Sequence, residues 1–115
     1  EEYLVIQKLE SLIQTCDVVI FEDYDKGVVT PEIIRYTVEL AKKLLKPVAV
    51  DPKKRQFLDY KGVTFFKPNL KELREGLKID LDNSDSNAIE NAIASLHKIL
   101  GADSYMITLS EKGVL

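Results

Sequence analysis

The chain has 115 residues, of which 45% are hydrophobic and 30% charged, and a formal net charge of −3 at pH 7. This length allows one domain with a modest core, and the interspersed charges exclude the basic stripe of a nucleic-acid binder. The lone Cys16 excludes internal disulfides, and no run approaches the roughly 18 apolar residues of a membrane span. No signal-peptide pattern opens the chain, so we expect a cytoplasmic protein.

The first half of the chain predicts a helix, a strand, a helix and a strand. Apolar residues at helical spacing predict an amphipathic helix over residues 2–15. Residues 18–21 form a short β-branched and aromatic run, typical of a strand buried on both faces. Thr30 and Pro31 suit a helix cap and first turn, and we expect a helix over 31–45. Its apolar face carries Ile34, Val38, Ala41 and Leu45. Residues 47–51 predict a second buried strand.

The second half continues the alternation. Residues 63–66 predict a third strand, and a short helix runs from near Asn69 toward Gly76. After a turn-rich linker, residues 88–100 predict a helix with Gly101 as its C-cap. Residues 104–109 predict a fourth strand, followed by a turn into a fifth. This alternation indicates an α/β fold: a three-layer, Rossmann-like, mostly parallel sheet flanked by helices, incomplete within this chain.

Polar residues follow each predicted strand. In parallel sheets of this kind, ligands bind beyond the carboxyl ends of the strands. Most of these exits pair an acid or an amide with a cation, which indicates an anionic ligand. The residues concerned are Glu22, Asp23, Lys26 and Gly27; Asp51, Lys53 and Lys54; Lys67, Asn69 and Glu72; and Thr108, Ser110, Lys112 and Gly113.

Several common motifs are absent. The chain has no G-x-G-x-x-G and no Walker-type G-x-x-x-x-G-K-[ST] loop. An EF-hand beginning at Asp80 needs Gly and Glu where the chain has Asp85 and Asn91, so a solvated linker and a helix cap are the preferred interpretation. His97 is the only histidine and has no His or Cys partner nearby, which argues against a zinc site or a Ser-His-Asp triad.

Asn69 and Glu72 have two interpretations. Their spacing is that of a capping box at the start of a helix. The same pair could face a metal-bound phosphate, and its position after a parallel strand favours this second interpretation. A helix N-terminus itself favours phosphate, so the two are compatible.

Four segments, in this order, resemble the ribokinase-like (PfkB-type) carbohydrate kinases. They are VVIFEDYDKGVVT, VAVDPKKRQFLDYKG, FKPNLKEL and MITLSEKGVL. The first is especially similar to the S-D-Y-x-K-G-V segment of bacterial kinases that act on D-glycero-D-manno-heptose 7-phosphate, with Glu22 in place of the usual Ser. The second matches the family's D-P-K-x-x-x-F-x-x-Y-x-G segment, the third its P-N-x-x-E motif, and the fourth its T-x-G/S-x-x-G turn.

The resemblance implies phosphoryl transfer from ATP, with Mg²⁺, to a sugar phosphate hydroxyl in the lipopolysaccharide (ADP-heptose precursor) pathway. It implies that residues 1–115 are the central part of one kinase domain, without the N-terminal substrate and lid part. The C-terminal G-A-G-D segment, whose Asp is the general base, is also missing. No catalytic residue is therefore assigned in this chain, and we expect the chain alone to be inactive.

The implied partners are a nucleotide and a sugar phosphate, with no nucleic acid and no membrane. A homodimer and a fused nucleotidyltransferase domain outside this chain stay open.

The resemblance also implies roles for residues in the nucleotide site. Asn69 and Glu72 would organise the water shell of Mg²⁺, which keeps several waters in proteins. Thr108 and Ser110 would lie near the phosphates and the ribose, and Gly113 would allow a close backbone approach. A plain β-turn is the alternative for these last residues.

Residues at the first two strand exits are assigned to phosphate or substrate. Lys53 would neutralise a phosphate and Asp51 would orient it, with solvated surface charge as the alternative. Asp23 and Lys26 are assigned to the substrate or phosphate side, where an ion pair fixing the loop ahead of Thr30 is the competing interpretation.

Two other functions stay open. One is a different sugar or nucleoside kinase of the same family, acting on ribose, fructose phosphate or adenosine. The other is a non-catalytic flavodoxin-like signalling module, whose acidic cluster and late Lys are weakly mimicked by Glu22, Asp23 and Lys112.

Overall fold

Helices and strands alternate in the computed structural model, which describes residues 2–24, 29–82, 84–109 and 113–115. The elements are α1 (Glu2–Thr15), β1 (Val19–Glu22), α2 (Pro31–Lys43), β2 (Val48–Asp51), a 3₁₀ turn (Phe57–Asp59), β3 (Phe65–Phe66), α3 (Leu70–Leu77), α4 (Ser86–Leu100) and β4 (Ser104–Tyr105).

The four strands form one parallel sheet in the order β1-β2-β3-β4. Each crossover therefore steps to the next strand in the same direction, and right-handed crossovers of this kind place the connecting helices on one face. Phe21, Val50 and Phe66 lie in register on that face. The predicted parallel α/β fold is confirmed.

The core lies between this face of the sheet and the helices α2, α3 and α4. Aromatic side chains fill its centre: the rings of Phe21 and Tyr60 lie 5.4 Å apart, and those of Phe57 and Phe66 lie 5.2 Å apart, both edge to face. The helices contribute Ile34, Val38, Ala41, Leu70, Leu73, Ile89, Ala92, Leu96 and Leu100. This packing fixes how the strand exits lie relative to the start of α3.

The opposite face of the sheet is only partly covered by the described residues. Ile20, which points to that face from the edge strand β1, is 65% exposed, and Val18 is 45% exposed. Ala49 and Phe65, in register with Ile20, are half-buried. The prediction that strand one is buried on both faces is therefore wrong. The described residues therefore form two of the three predicted layers: the sheet and the helices on one of its faces.

Helix α1 occupies its predicted position and packs against α2. Ile13 is buried, but Leu4 and Leu12, two of the apolar residues whose spacing predicts this helix, are 65% and 53% exposed. None of the helices in the described parts of the chain combines the length and the apolar character that a bilayer span requires.

Helix α2 begins as predicted and ends earlier. The hydroxyl of Thr30 accepts a hydrogen bond from the Ile33 amide at 3.2 Å, and Pro31 occupies the first turn. The helix stops at Lys43, and Leu45 has a φ of 59° and is 89% exposed. Placing Leu45 on the apolar face was wrong, because the helix ends before it and Leu45 takes the left-handed conformation that turns the chain toward β2. Pro47 also disfavours helical backbone at Lys46, the residue before it.

Helix α4 begins at Ser86, two residues before the predicted start. The carboxylate of Asp85 caps it by accepting a hydrogen bond from the Ala88 amide at 3.0 Å. Gly101 closes the helix with a φ of 63°, as its C-cap position predicts. Asp85 therefore has the structural role favoured for the acidic linker.

Candidate functional site at the carboxyl edge of the sheet

Asn69 caps α3 through a complete capping box. Its side-chain oxygen accepts a hydrogen bond from the Glu72 amide at 2.7 Å. In return, Oε1 of Glu72 accepts a hydrogen bond from the Asn69 amide at 2.8 Å. The predicted cap is confirmed, and it satisfies two backbone donors at the helix start.

The second oxygen of Glu72 faces the exit of β2. Nζ of Lys53 donates a hydrogen bond to Oε2 at 3.3 Å. The Glu72 side chain is 11% exposed and that of Lys53 is 38% exposed. The pair joins segments 19 residues apart and connects the β2 exit to the start of α3.

Lys53 lies among three carboxylates. Partial burial lowers the pKa of its ammonium group, but the charge and hydrogen bond of Glu72 and the charges of Asp51 and Asp23 outweigh that effect. The net result is a pKa above the usual 10.5, so Lys53 is a cation throughout the neutral range.

Asp51 is the last residue of β2, and Asp23 directly follows the end of β1 beside it. The Asp23 amide donates to the backbone oxygen of Asp51 at 3.2 Å, which continues the β1–β2 ladder by one bond. Asp51 forms an ion pair with Lys67 at 3.8 Å. Asp23 is 3% exposed and its carboxylate accepts a hydrogen bond from the buried Tyr60 hydroxyl at 2.9 Å.

Thr108 connects the last strand region to the start of α3. Its amide donates to the Pro68 oxygen and its own oxygen accepts from the Leu70 amide, both at 3.1 Å. Thr108 also forms an antiparallel bridge with Val114, and the Leu109 amide donates to the Gly113 oxygen at 2.7 Å. The regular β4 strand is thus shorter than the predicted 104–109. Its continuation, residues 107–109, pairs with residues 113–115 as a hairpin arm beside Asn69.

A cleft of about 630 Å³ lies between this hairpin arm and α3. It is lined by Asn69, Leu70, Lys71, Arg74, Thr108, Leu109, Gly113 and Val114. Gly113 has a φ of 90°, a conformation that favours glycine. A second cleft of about 640 Å³ runs along α2, between Glu32 and Gly62, and contains none of the predicted site residues.

The predicted site residues thus meet in two adjoining groups at one edge of the sheet. The first group has Lys53 on Glu72, with Asp51 and Asp23 close by; the second has Thr108 and Gly113 across the cleft from the helix start. Asn69 belongs to both groups. Lys26 and Ser110 lie outside the described residues.

Four residues at this edge were not predicted as part of the site. Tyr60 was matched to a motif without a role, and its bond to Asp23 spans 37 residues, which no local pattern reveals. Lys67 was noted only as a strand exit. Lys71 and Arg74 line the cleft, and their i, i+3 spacing on an amphipathic helix could have placed them on one side.

The chain is similar to a curated protein across nearly its whole length. It is 37% identical over 113 residues to "Bifunctional protein HldE" from Wolinella succinogenes, covering 98% of this chain. No protein-family model matches the chain.

The fold is that of two solved sugar kinases. The tetrameric inhibited form of phosphofructokinase-2 from Escherichia coli superposes with a TM-score of 0.78 at 17% identity, covering 96% of this chain and 38% of that one. Ribokinase from Arabidopsis thaliana, complexed with ribose and ATP, gives a TM-score of 0.74 at 20% identity, covering 94% and 33%. The chain has a ribokinase-like α/β fold. It spans about a quarter of the curated relative's length, 23%.

The ribokinase-like segments converge in the structure. Each of the four has a residue at or beside the carboxyl edge: Asp23, Asp51, Asn69 and Thr108 respectively. The solved kinases are less than 25% identical to this chain, so their similarity concerns the fold alone. Roles for these four residues must be argued from the geometry and chemistry of this chain.

Proposed function

We propose that this chain is the central part of a ribokinase-like kinase domain that transfers a phosphoryl group from ATP to a sugar phosphate hydroxyl. D-glycero-D-manno-heptose 7-phosphate is the proposed acceptor, in the cytoplasmic synthesis of an ADP-heptose precursor of lipopolysaccharide. The observation that carries the proposal is the meeting of Asn69, Thr108 and Gly113 around a cleft at one sheet edge, with Glu72 hydrogen-bonded to Asn69 beside it.

The cleft has the charge and backbone chemistry expected of a nucleotide site. Its two described cations, Lys71 and Arg74, lie on α3, whose N-terminal dipole also favours phosphate. Thr108 supplies a hydroxyl, and Gly113 has no side chain to obstruct the backbone. We assign the phosphates to the start of α3 and the ribose to the Thr108–Gly113 side, with Ser110 on that side as well.

The donors at the helix start fit Mg²⁺ as outer-shell partners. Glu72 and Asn69 offer the oxygen atoms that Mg²⁺ prefers, but each already serves the cap. In the described parts of the chain, no group of three or more His, Cys, Asp or Glu side chains is arranged to hold a metal. Glu72 and Asn69 would hold waters of a bound Mg²⁺, which would supply positive charge beside the transferring phosphoryl group.

The exits of β1 and β2 form the proposed acceptor side. Asp23 is held by the Tyr60 hydroxyl, and Asp51 lies 3.8 Å from the ammonium group of Lys67, so both carboxylates have partners at this edge before a ligand arrives. Such carboxylates accept hydrogen bonds from sugar hydroxyls, and Lys26 would add a cation for the sugar phosphate. The name "Bifunctional protein" of the relative supports a fused nucleotidyltransferase domain in the same protein.

Glu72→Gln in the full-length protein tests the proposal most cleanly. The amide oxygen of Gln can still accept from the Asn69 amide, so the cap survives while the charge is lost. We expect the affinity for MgATP and kcat/KM for MgATP to fall about 10- to 100-fold. Titration calorimetry and a coupled kinase assay with the heptose phosphate measure the two quantities.

Asn69→Ser and Glu75→Ala complete the comparison. Ser preserves the cap but removes the amide group, so we expect a loss similar in direction to that of Glu72→Gln. Glu75 lies one turn further along α3, outside the cleft, and its replacement should change neither quantity. Unchanged MgATP affinity and turnover in Glu72→Gln and Asn69→Ser would mean that Asn69 and Glu72 serve only as a helix cap.

A further inference from the structure

Glu72 is held from two directions. Its Oε1 is bound by the backbone at the helix start, and its Oε2 by Lys53 from the exit of β2. We propose that Lys53 is a positioning residue, which locks the Glu72 carboxylate in the orientation used at the metal-nucleotide site. This inference rests on the proposed function for its consequence, although the locking itself can be measured without it.

The surroundings of Lys53 favour this role over direct contact with a phosphate. Its ammonium group is drawn to Glu72, Asp51 and Asp23, and the neighbouring cation Lys67 is itself paired with Asp51. To reach a phosphate, Lys53 would have to leave Glu72, whose side chain is only 11% exposed. A largely buried carboxylate without its counter-charge is costly, so the pair should persist when the nucleotide binds.

The geometry leaves Glu72 able to serve a ligand while Lys53 holds it. A carboxylate oxygen has more than one acceptor position, so Oε2 can accept from Lys53 and from a metal-bound water together. Without Lys53, the carboxylate would gain rotational freedom and would be drawn toward solvent. The site would then have to order it when the metal-nucleotide binds.

Hydrogen exchange at the Asn69 amide measures the locking directly. In the full-length protein, Lys53→Met should weaken the hold on Glu72, so exchange at the Asn69 amide should become several-fold faster. Lys53→Arg retains a cation and should restore slow exchange. Lys54→Met removes the same charge from the next residue, which is exposed, and should leave the Asn69 amide unchanged.

A double-mutant cycle measures the functional consequence. Lys53→Met should weaken MgATP binding about tenfold and leave the affinity for ATP in EDTA within about twofold. In the Glu72→Gln background, Lys53→Met should add no further loss, since its effect passes through the carboxylate. Lys53→Arg should recover most of the MgATP affinity, and Lys54→Met should retain all of it.

Two results would overturn the inference. One is unchanged exchange at the Asn69 amide in Lys53→Met. The other is that Lys53→Met loses affinity equally for MgATP and for metal-free ATP, and that this loss multiplies with the loss from Glu72→Gln in the double variant. Such a result would mean that Lys53 contacts the phosphate directly. Failure of the proposed function is distinguishable: Glu72→Gln would then retain MgATP affinity while the Asn69 amide still responded to Lys53→Met.

Discussion

Glu72 shows how one side chain can serve both the fold and a site. Its two oxygens are committed to different partners, the Asn69 amide and the Lys53 ammonium group. The first partner could be predicted from the sequence, because a capping box joins residues only three apart. The second could not, because the Lys53 contact depends on how β2 and α3 lie relative to each other in the folded chain.

Asp59 carries a residue-scale prediction about pH. Burial raises the pKa of its carboxyl group above the usual 3.8, and Lys61 offsets this in part. Because the pKa of Asp59 is higher in the folded state than in the unfolded state, the charged carboxylate destabilises the folded chain. This cost is absent below about pH 3.8 and is complete once the pH exceeds the folded-state pKa.

Asp59→Asn should therefore stabilise the chain at pH 7, by at most about 0.5 kcal/mol because solvent screens this group. The gain should vanish below about pH 3.8. Urea unfolding at several pH values measures it, with the exposed Asp103→Asn as the control. A loss of stability at pH 7 would mean that the Asp59 carboxylate has a favourable partner.

Helix α3 is positioned by its contact with the 3₁₀ turn as well as by its cap. Gly76, in its last turn, lies so close to Phe57 that an added Cβ would overlap the aromatic ring. Phe57 is 1% exposed and packs against Phe66 of β3. The close approach therefore connects the far end of α3 to the centre of the core, while its start supports the candidate site.

Gly76→Ala should destabilise the chain although alanine favours helices. The gain in helix propensity is about 1 kcal/mol, whereas overpacking a core costs about 1–3 kcal/mol. Because the overlap with the Phe57 ring is severe, the cost should lie at the upper end of this range, and we expect a net loss of about 2 kcal/mol by urea unfolding. Glu75→Ala should stay within about 0.5 kcal/mol of the unsubstituted chain. A more stable Gly76→Ala would show that the ring of Phe57 moves aside at little cost.

At the same scale, element type was easier to predict than burial. The cap at Thr30 and the glycine at 101 marked helix ends through chemistry within a few residues. The burial of Ile20 and Leu45 was mispredicted, because an apolar pattern does not reveal which faces the rest of the chain covers. The strand exits were predicted from the alternation alone, because parallel strands necessarily end at one edge.

For the whole molecule, the central claim is that MgATP binds at the carboxyl edge of the sheet. The structure offers two clefts of similar volume, about 630 Å³ beside Asn69 and about 640 Å³ along α2. Size therefore cannot decide between them. The sheet topology and the motifs favour the first, since its lining includes Asn69, Thr108 and Gly113.

Hydrogen-exchange mass spectrometry of the full-length protein, with and without saturating MgATP, tests this claim most directly. We expect slower exchange in peptides that cover residues 67–74 and 106–115, and no change in peptides that cover residues 31–42 of α2. Protection confined to α2, or unchanged exchange at both segments of the carboxyl edge, would contradict the account.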